Sequence, residues 1–152
     1  MLKPVKASRT QAVKGKFVIV ASQYNSRYVD AMLRAAKAEL TRARANLQIV
    51  RVPGAYEIPV VAKKIAAGKS AAAIICLGVI LRGETTHAAH IGEAVSNALM
   101  QIQLAHEIPV IHEVLLLENK FQADVRCLSP EHNRGIEAAQ TAVHMAELMR
   151  RI

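Results

Sequence analysis

The stretch Ala71–Glu107 constrains this chain more than any other. Its uncharged apolar run, Ala73–Leu81, reads as a strand buried on both faces of a parallel sheet. The run breaks at Arg82-Gly83. Thr85 and Thr86 then offer hydroxyls of the N-capping kind, and Glu84 adds acid near the start. Behind them Ile91, Ala94, Val95, Ala98, Ile102 and Ala105 recur at helical spacing. Strand, glycine turn and long helix in that order put the turn at the strand's carboxyl end, where open α/β sheets bind ligands. The helix start presents N–H groups and a partial positive charge there, which suits phosphate. His87 stands in the first helical turn, within reach of a ligand so held. A helix cap that merely contains a histidine is the other reading of the same local pattern.

The rest of the chain repeats the alternation. Phe17–Ala21 predicts a first strand and Arg27–Ala45 a helix, with Val29, Met32, Leu33, Ala36 and Leu40 on one side. Leu47–Val52 predicts a second strand. Pro53-Gly54 punctuates it before a helix that ends near Gly68. Pro109–Leu117 predicts a fourth strand, Glu118–Arg126 a short helix, Cys127–Asn133 a loop and Gly135–Arg150 a last helix. Strict alternation with short connections implies an α/β fold: three layers, flavodoxin-like, a four-stranded parallel sheet with helices on both faces. Residues 15–152 read as one domain after a basic tail over residues 1–14, which is loose or forms an edge strand against a neighbour. Four strand exits then share one edge: Tyr24-Asn25, Ala55–Glu57, Val79–His87 and His112–Leu117.

Composition narrows the function. Hydrophobic residues make up 52% of the chain and aromatics only 3%, so the core is built of Ala, Val, Ile and Leu. Much of the formal charge of +8 gathers in the tail and the first helix. No aromatic residues interleave with those charges, so a solvated helix face is favoured and nucleic acid is not expected as a partner. Cys76 and Cys127 form no C-x-x-C motif, and Cys76 lies inside an apolar strand, so a reducing, cytoplasmic setting is the default. No apolar stretch reaches membrane-spanning length, and the basic start lacks the apolar core of a secretory signal. The glycines of dinucleotide and P-loop motifs are absent, as are H-E-x-x-H and G-x-S-x-G. His87 and His90 lie one turn apart with Glu93 beyond, but His87 and Glu93 diverge around a helix and no fourth ligand is in view, so no metal is expected.

Two blocks carry a resemblance: Val52-Pro53-Gly54-Ala55-Tyr56-Glu57-Ile58-Pro59, and Leu77-Gly78-Val79-Ile80-Leu81-Arg82-Gly83-Glu84-Thr85-Thr86-His87. With Tyr24-Asn25, Ile108–Ile111, Glu118-Asn119, Gln122-Ala123, Arg126 and Asn133–Ala139, the chain from about Phe17 onward resembles the 6,7-dimethyl-8-ribityllumazine synthase family. The resemblance implies condensation of 5-amino-6-(D-ribitylamino)uracil with 3,4-dihydroxy-2-butanone 4-phosphate, with loss of phosphate and water, in riboflavin biosynthesis. The pyrimidine brings its own amine, so neither a lysine nucleophile nor a cofactor is implied. An anion site, a proton carrier and an orienting slot suffice. By position, His87 is the proton carrier. Glu84 and Thr85 hold phosphate through backbone N–H groups, and Arg126 clamps it. Tyr24, Asn25, Ala55, Tyr56, Glu57, Val79, Ile80, Leu81, His112 and Arg134 meet the substrates. The partner implied is a second copy of the chain: a homopentamer with shared sites, open to further assembly into a shell.

The chain departs from the family pattern at several positions. His112 stands where an aromatic residue is usual, Leu116-Leu117 where threonines are frequent, Ala88-Ala89 where bulky aromatic and acidic residues are frequent, and Arg134 where lysine is common. The 127–132 loop lacks the usual lysine and glycines. Two alternatives stay open: a non-catalytic flavin or lumazine binder, and a self-assembling shell protein. His87 together with Arg126 speaks against the first, because a phosphate-free flavin needs neither.

Overall fold

The computed structural model describes residues 3–5 and 12–152. Most of the basic tail, and with it any strand there, lies outside the described residues. Four strands, β1 (Lys16–Ser22), β2 (Asn46–Val52), β3 (Ala71–Leu81) and β4 (Val110–Leu117), form one parallel sheet in the order β2-β1-β3-β4. Five α-helices are described: α1 (Ser26–Arg42), α2 (Ile58–Ala67), α3 (His87–His106), the short α4 (Lys120–Ala123) and α5 (Arg134–Arg151). A 3-10 turn, Ala55–Glu57, precedes α2, and a π turn, Asp124–Leu128, follows α4.

Side-chain alternation explains the three layers. Phe17, Ile19 and Ala21 of β1 join Ile75 and Leu77 of β3 under α1 and α5. Val18 and Val20 join Ile74 and Cys76 under α2 and α3. Because both faces are covered, the central strands β1 and β3 read as nearly unbroken apolar runs rather than alternating ones. Each buried Val, Leu or Ile contributes roughly 1.5–3 kcal/mol relative to an exposed position. Cys76 is wholly buried as a small hydrophobe, and burial pushes its thiol up to about 12.

The expected α3 stripe is rotated. Val95, Leu99 and Ile102 face the core with Ala88, while Ala94 and Ala105 are exposed. The larger Leu99, which the alanine-weighted pattern passed over, fills the interior. The α3 N-cap also differs from expectation. Thr86 takes that position without a side-chain cap, and Thr85 Oγ1 instead accepts a long 3.4 Å hydrogen bond from the His87 N–H. The expected single helix after β4 is divided into α4 and the π turn.

β4 is an edge strand, and side chains cover part of its outer row. The Val110 N–H donates to Gln103 Oε1 at 2.9 Å, and the Val114 N–H donates to His112 Nδ1 at 3.1 Å. Among the described residues, no helix is long and apolar enough to cross a membrane.

Candidate active site

Three strand exits and the start of α3 enclose a cavity of about 1000 Å³. The β1 exit is held by backbone bonds: the Gln23 N–H donates to the Val52 carbonyl at 2.7 Å and the Tyr24 N–H to the Pro53 carbonyl at 3.0 Å. Asn25 takes the left-handed conformation (φ 56°) that starts α1, which asparagine tolerates. Its side-chain N–H donates 2.7 Å to the Val79 carbonyl, pinning the β1 exit to β3. Arg51 fastens the same corner, donating to the Ala21 and Ser22 carbonyls and pairing with Asp30 at 2.7 Å.

The second exit supplies Gly54, Ala55, Tyr56 and Glu57. The Glu57 carboxylate folds back so closely that a Cβ at Gly54 would lie 2.9 Å from Glu57 Oε2. The third exit supplies Val79, Ile80, Leu81, Gly83 and Thr85, and α3 supplies His87, Ala88, His90, Ile91 and Ala94. Tyr24 and Tyr56 form the rim, 74% and 65% exposed, which leaves their ring faces free to stack on a planar ligand. The first amides of α3 lack intrahelical partners and bring their positive end to the same place.

The structure therefore brings together Tyr24, Asn25, Ala55, Tyr56, Glu57, Val79, Ile80, Leu81, Thr85 and His87. It leaves four expected residues outside this cavity. Glu84 is exposed at the turn and does not line it. Arg126 lies on the π turn, close enough to buried Glu113 and Cys127 to act on both electrostatically. Arg134 grips Glu113 with two bonds of 3.0 and 3.1 Å and pairs with Glu137 at 2.7 Å. Burial raises the Glu113 carboxyl above its ordinary value against the opposing pull of Arg134.

His112 is the fourth residue outside, and both its ring nitrogens are occupied. The Val114 N–H occupies Nδ1, so Nε2 carries the ring proton and donates to Ser96 Oγ at 2.7 Å; Ser96 in turn donates to the Gly92 carbonyl at 2.8 Å. This serine–histidine pair has the wrong polarity for a nucleophile, because the nitrogen facing the hydroxyl is a donor. Burial lowers the His112 pKa.

Sequence reasoning did not single out Gly54, Gly83, Ala88, Ile91 or Ala94 as site residues, and it weighed His90 only as a metal ligand. Counting three, four and seven residues on from His87 finds His90, Ile91 and Ala94 on one helical face, while Ala88 lines the cavity from the core-facing stripe. Among the described residues, no three His, Cys, Asp or Glu side chains cluster as a metal site.

A parallel α/β sheet with a cavity at its carboxyl edge, closed by a helix start that bears imidazoles, defines a flavodoxin-like fold built for small-molecule chemistry. The 6,7-dimethyl-8-ribityllumazine synthase family model matches residues 14–150. Relatives of that name are 36% identical over 140 residues in Stenotrophomonas maltophilia (90% of each chain) and 38% over 137 in Xanthomonas campestris (88% of this chain, 89% of the relative). One from Coxiella burnetii is 39% identical over 140 residues, covering 90% of this chain and 93% of its own. The chain belongs to the 6,7-dimethyl-8-ribityllumazine synthase family, the transferases of riboflavin biosynthesis.

Proposed function

We propose that this chain condenses 5-amino-6-(D-ribitylamino)uracil with 3,4-dihydroxy-2-butanone 4-phosphate, and that its site is completed by a second copy within a homopentamer. One observation carries the reading. The cavity has rings to stack on, a carboxylate at Glu57 for hydroxyls and an imidazole at His87, but among the described residues no lysine or arginine lines it. A phosphate substrate calls for a cation. Arg126 fits that need but lies outside the cavity, as do His112 and Arg134. A neighbouring copy that turns its β4 exit and π turn toward this cavity supplies the missing charge.

The chemistry then divides among the residues. The α3 amides and the neighbour's copy of Arg126 hold phosphate. Tyr24, Tyr56 and the Val79–Leu81 strand end orient the pyrimidine, and Glu57 accepts hydrogen bonds from the ribityl chain. Glu84 and Thr85 contribute through their backbone, and His112 and Arg134 reach the pyrimidine from the adjacent copy. His87 carries protons for imine formation, phosphate elimination and ring closure. Orientation of two reactants supplies most of the rate. The buried free cysteines, Cys76 and Cys127, suit a reducing cytoplasm.

The test is to mix the protein with both substrates and follow lumazine absorbance and phosphate release. Both signals are expected to rise together. Tight binding of lumazine or flavin without either signal would favour a non-catalytic binder and overturn the reading.

A further inference from the structure

Two imidazoles, not one, stand on the cavity face of α3. His87 and His90 lie one turn apart at its N-terminal end, and both line the cavity. Helical residues three apart have Cβ atoms about 5–6 Å from each other, close enough to serve one bound molecule. The methyl groups of Ala88 and Ala89 are too short to cover either ring. His90 is exposed, and its ring makes no hydrogen bond or ion pair with any described residue. Its backbone is fixed nonetheless, because its N–H donates to the Thr86 carbonyl at 3.2 Å as α3 begins. The other titratable groups facing the cavity are the phenols of Tyr24 and Tyr56 and the Glu57 carboxylate. His90 is therefore an uncommitted imidazole on a rigid element beside the proposed proton carrier.

Resting on the condensation proposed above, we infer that His90 is a second catalytic proton carrier that works with His87. The imine-forming dehydration takes a proton from the attacking primary-amine nitrogen and gives one to the departing hydroxyl. The nitrogen lone pair forms the C=N bond as the C–O pair leaves with oxygen. A neutral imidazole accepts the first proton while a protonated one donates the second. Water leaves, and the two rings have exchanged roles with no net change in their proton count. Imidazole is the side chain whose ordinary titration range allows both roles near neutrality. When His87 is removed, His90 still performs both steps in succession.

The test uses His90→Asn and His90→Gln, alone and with His87→Ala, in the full chain. The amides preserve a polar contact at either ring nitrogen but carry no exchangeable charge near neutrality. Both single variants should lower kcat about ten-fold or more while leaving KM for both substrates nearly unchanged. In the His87→Ala background, His90→Asn should remove most of the residual rate and flatten its pH dependence. Wild-type turnover with His90 variants that keep the wild-type kcat and pH profile would overturn the role of His90 alone. Full activity in both amide variants, with loss in a further variant His90→Ala, would also overturn it, by making the contribution a hydrogen bond. Absence of lumazine from the wild-type protein would overturn this role and the condensation together.

Discussion

His112 is held by hydrogen bonds at both ring nitrogens, which leaves no free lone pair for proton transfer. His112→Phe should therefore keep kcat within about two-fold and preserve the pH dependence of the rate, because a ring remains for stacking and no proton carrier is lost. The Val114 N–H, on a buried residue, would lose its acceptor, a cost of about 1–3 kcal/mol. Stability should show the titration instead. Burial lowers the folded pKa below 6.5, so between the two values the unfolded chain binds a proton that the folded chain does not. Wild-type stability falls as pH drops through that window, and the Phe variant lacks this component; urea melts on either side of pH 6.5 measure it. A large loss of rate with intact pyrimidine binding would make His112 a proton carrier. His87 was legible in the sequence because it sits at a glycine turn that opens a helix. The grip of Arg134 on Glu113 was not, because it joins β4 to α5 across 21 positions and depends on tertiary register.

Among the elements, the α1–α5 crossing permits the least change. A Cβ at Gly135 would lie 2.1 Å from the Met32 carbonyl oxygen and 2.7 Å from its carbon, both backbone atoms that cannot rotate away. The Asn133 cap holds the helix start there, accepting the Gly135 N–H at 2.8 Å and donating to the Cys127 carbonyl at 2.7 Å. Gly135→Ala should destabilise the protein by about 3 kcal/mol, the upper end of the overpacking range, because the two helices must part. Gly83→Ala, where nothing lies within 4 Å, is the control expected to leave the urea midpoint nearly unchanged. Equal midpoints for the two variants would contradict the close crossing. Strand and helix order was readable from apolar runs and breakers, since sheet burial imposes those runs. The rotation of α3 was not, because a helix rich in alanine presents several nearly equivalent apolar stripes.

At the scale of the molecule, the division of the candidate residues between those that line the cavity and those outside it makes a prediction about copies. Two low-activity variants, His87→Ala and Arg126→Ala, would be dissociated, mixed and reassembled. If each site joins His87 of one chain to Arg126 of the next, random mixing restores about a quarter of the sites. If both residues come from one chain, every site keeps a lesion and nothing returns. A properly reassembled mixture without recovery would sink the shared site and leave the family membership untouched. The rim described above has a further, optical consequence. The chain has three tyrosines and no tryptophan. Tyr28 is buried with the Arg27 guanidinium 5.8 Å over its ring, while Tyr24 and Tyr56 frame the cavity mouth. Two of the three native fluorophores thus stand beside whatever occupies the cavity, and quenching of ultraviolet emission reports its filling without any added label.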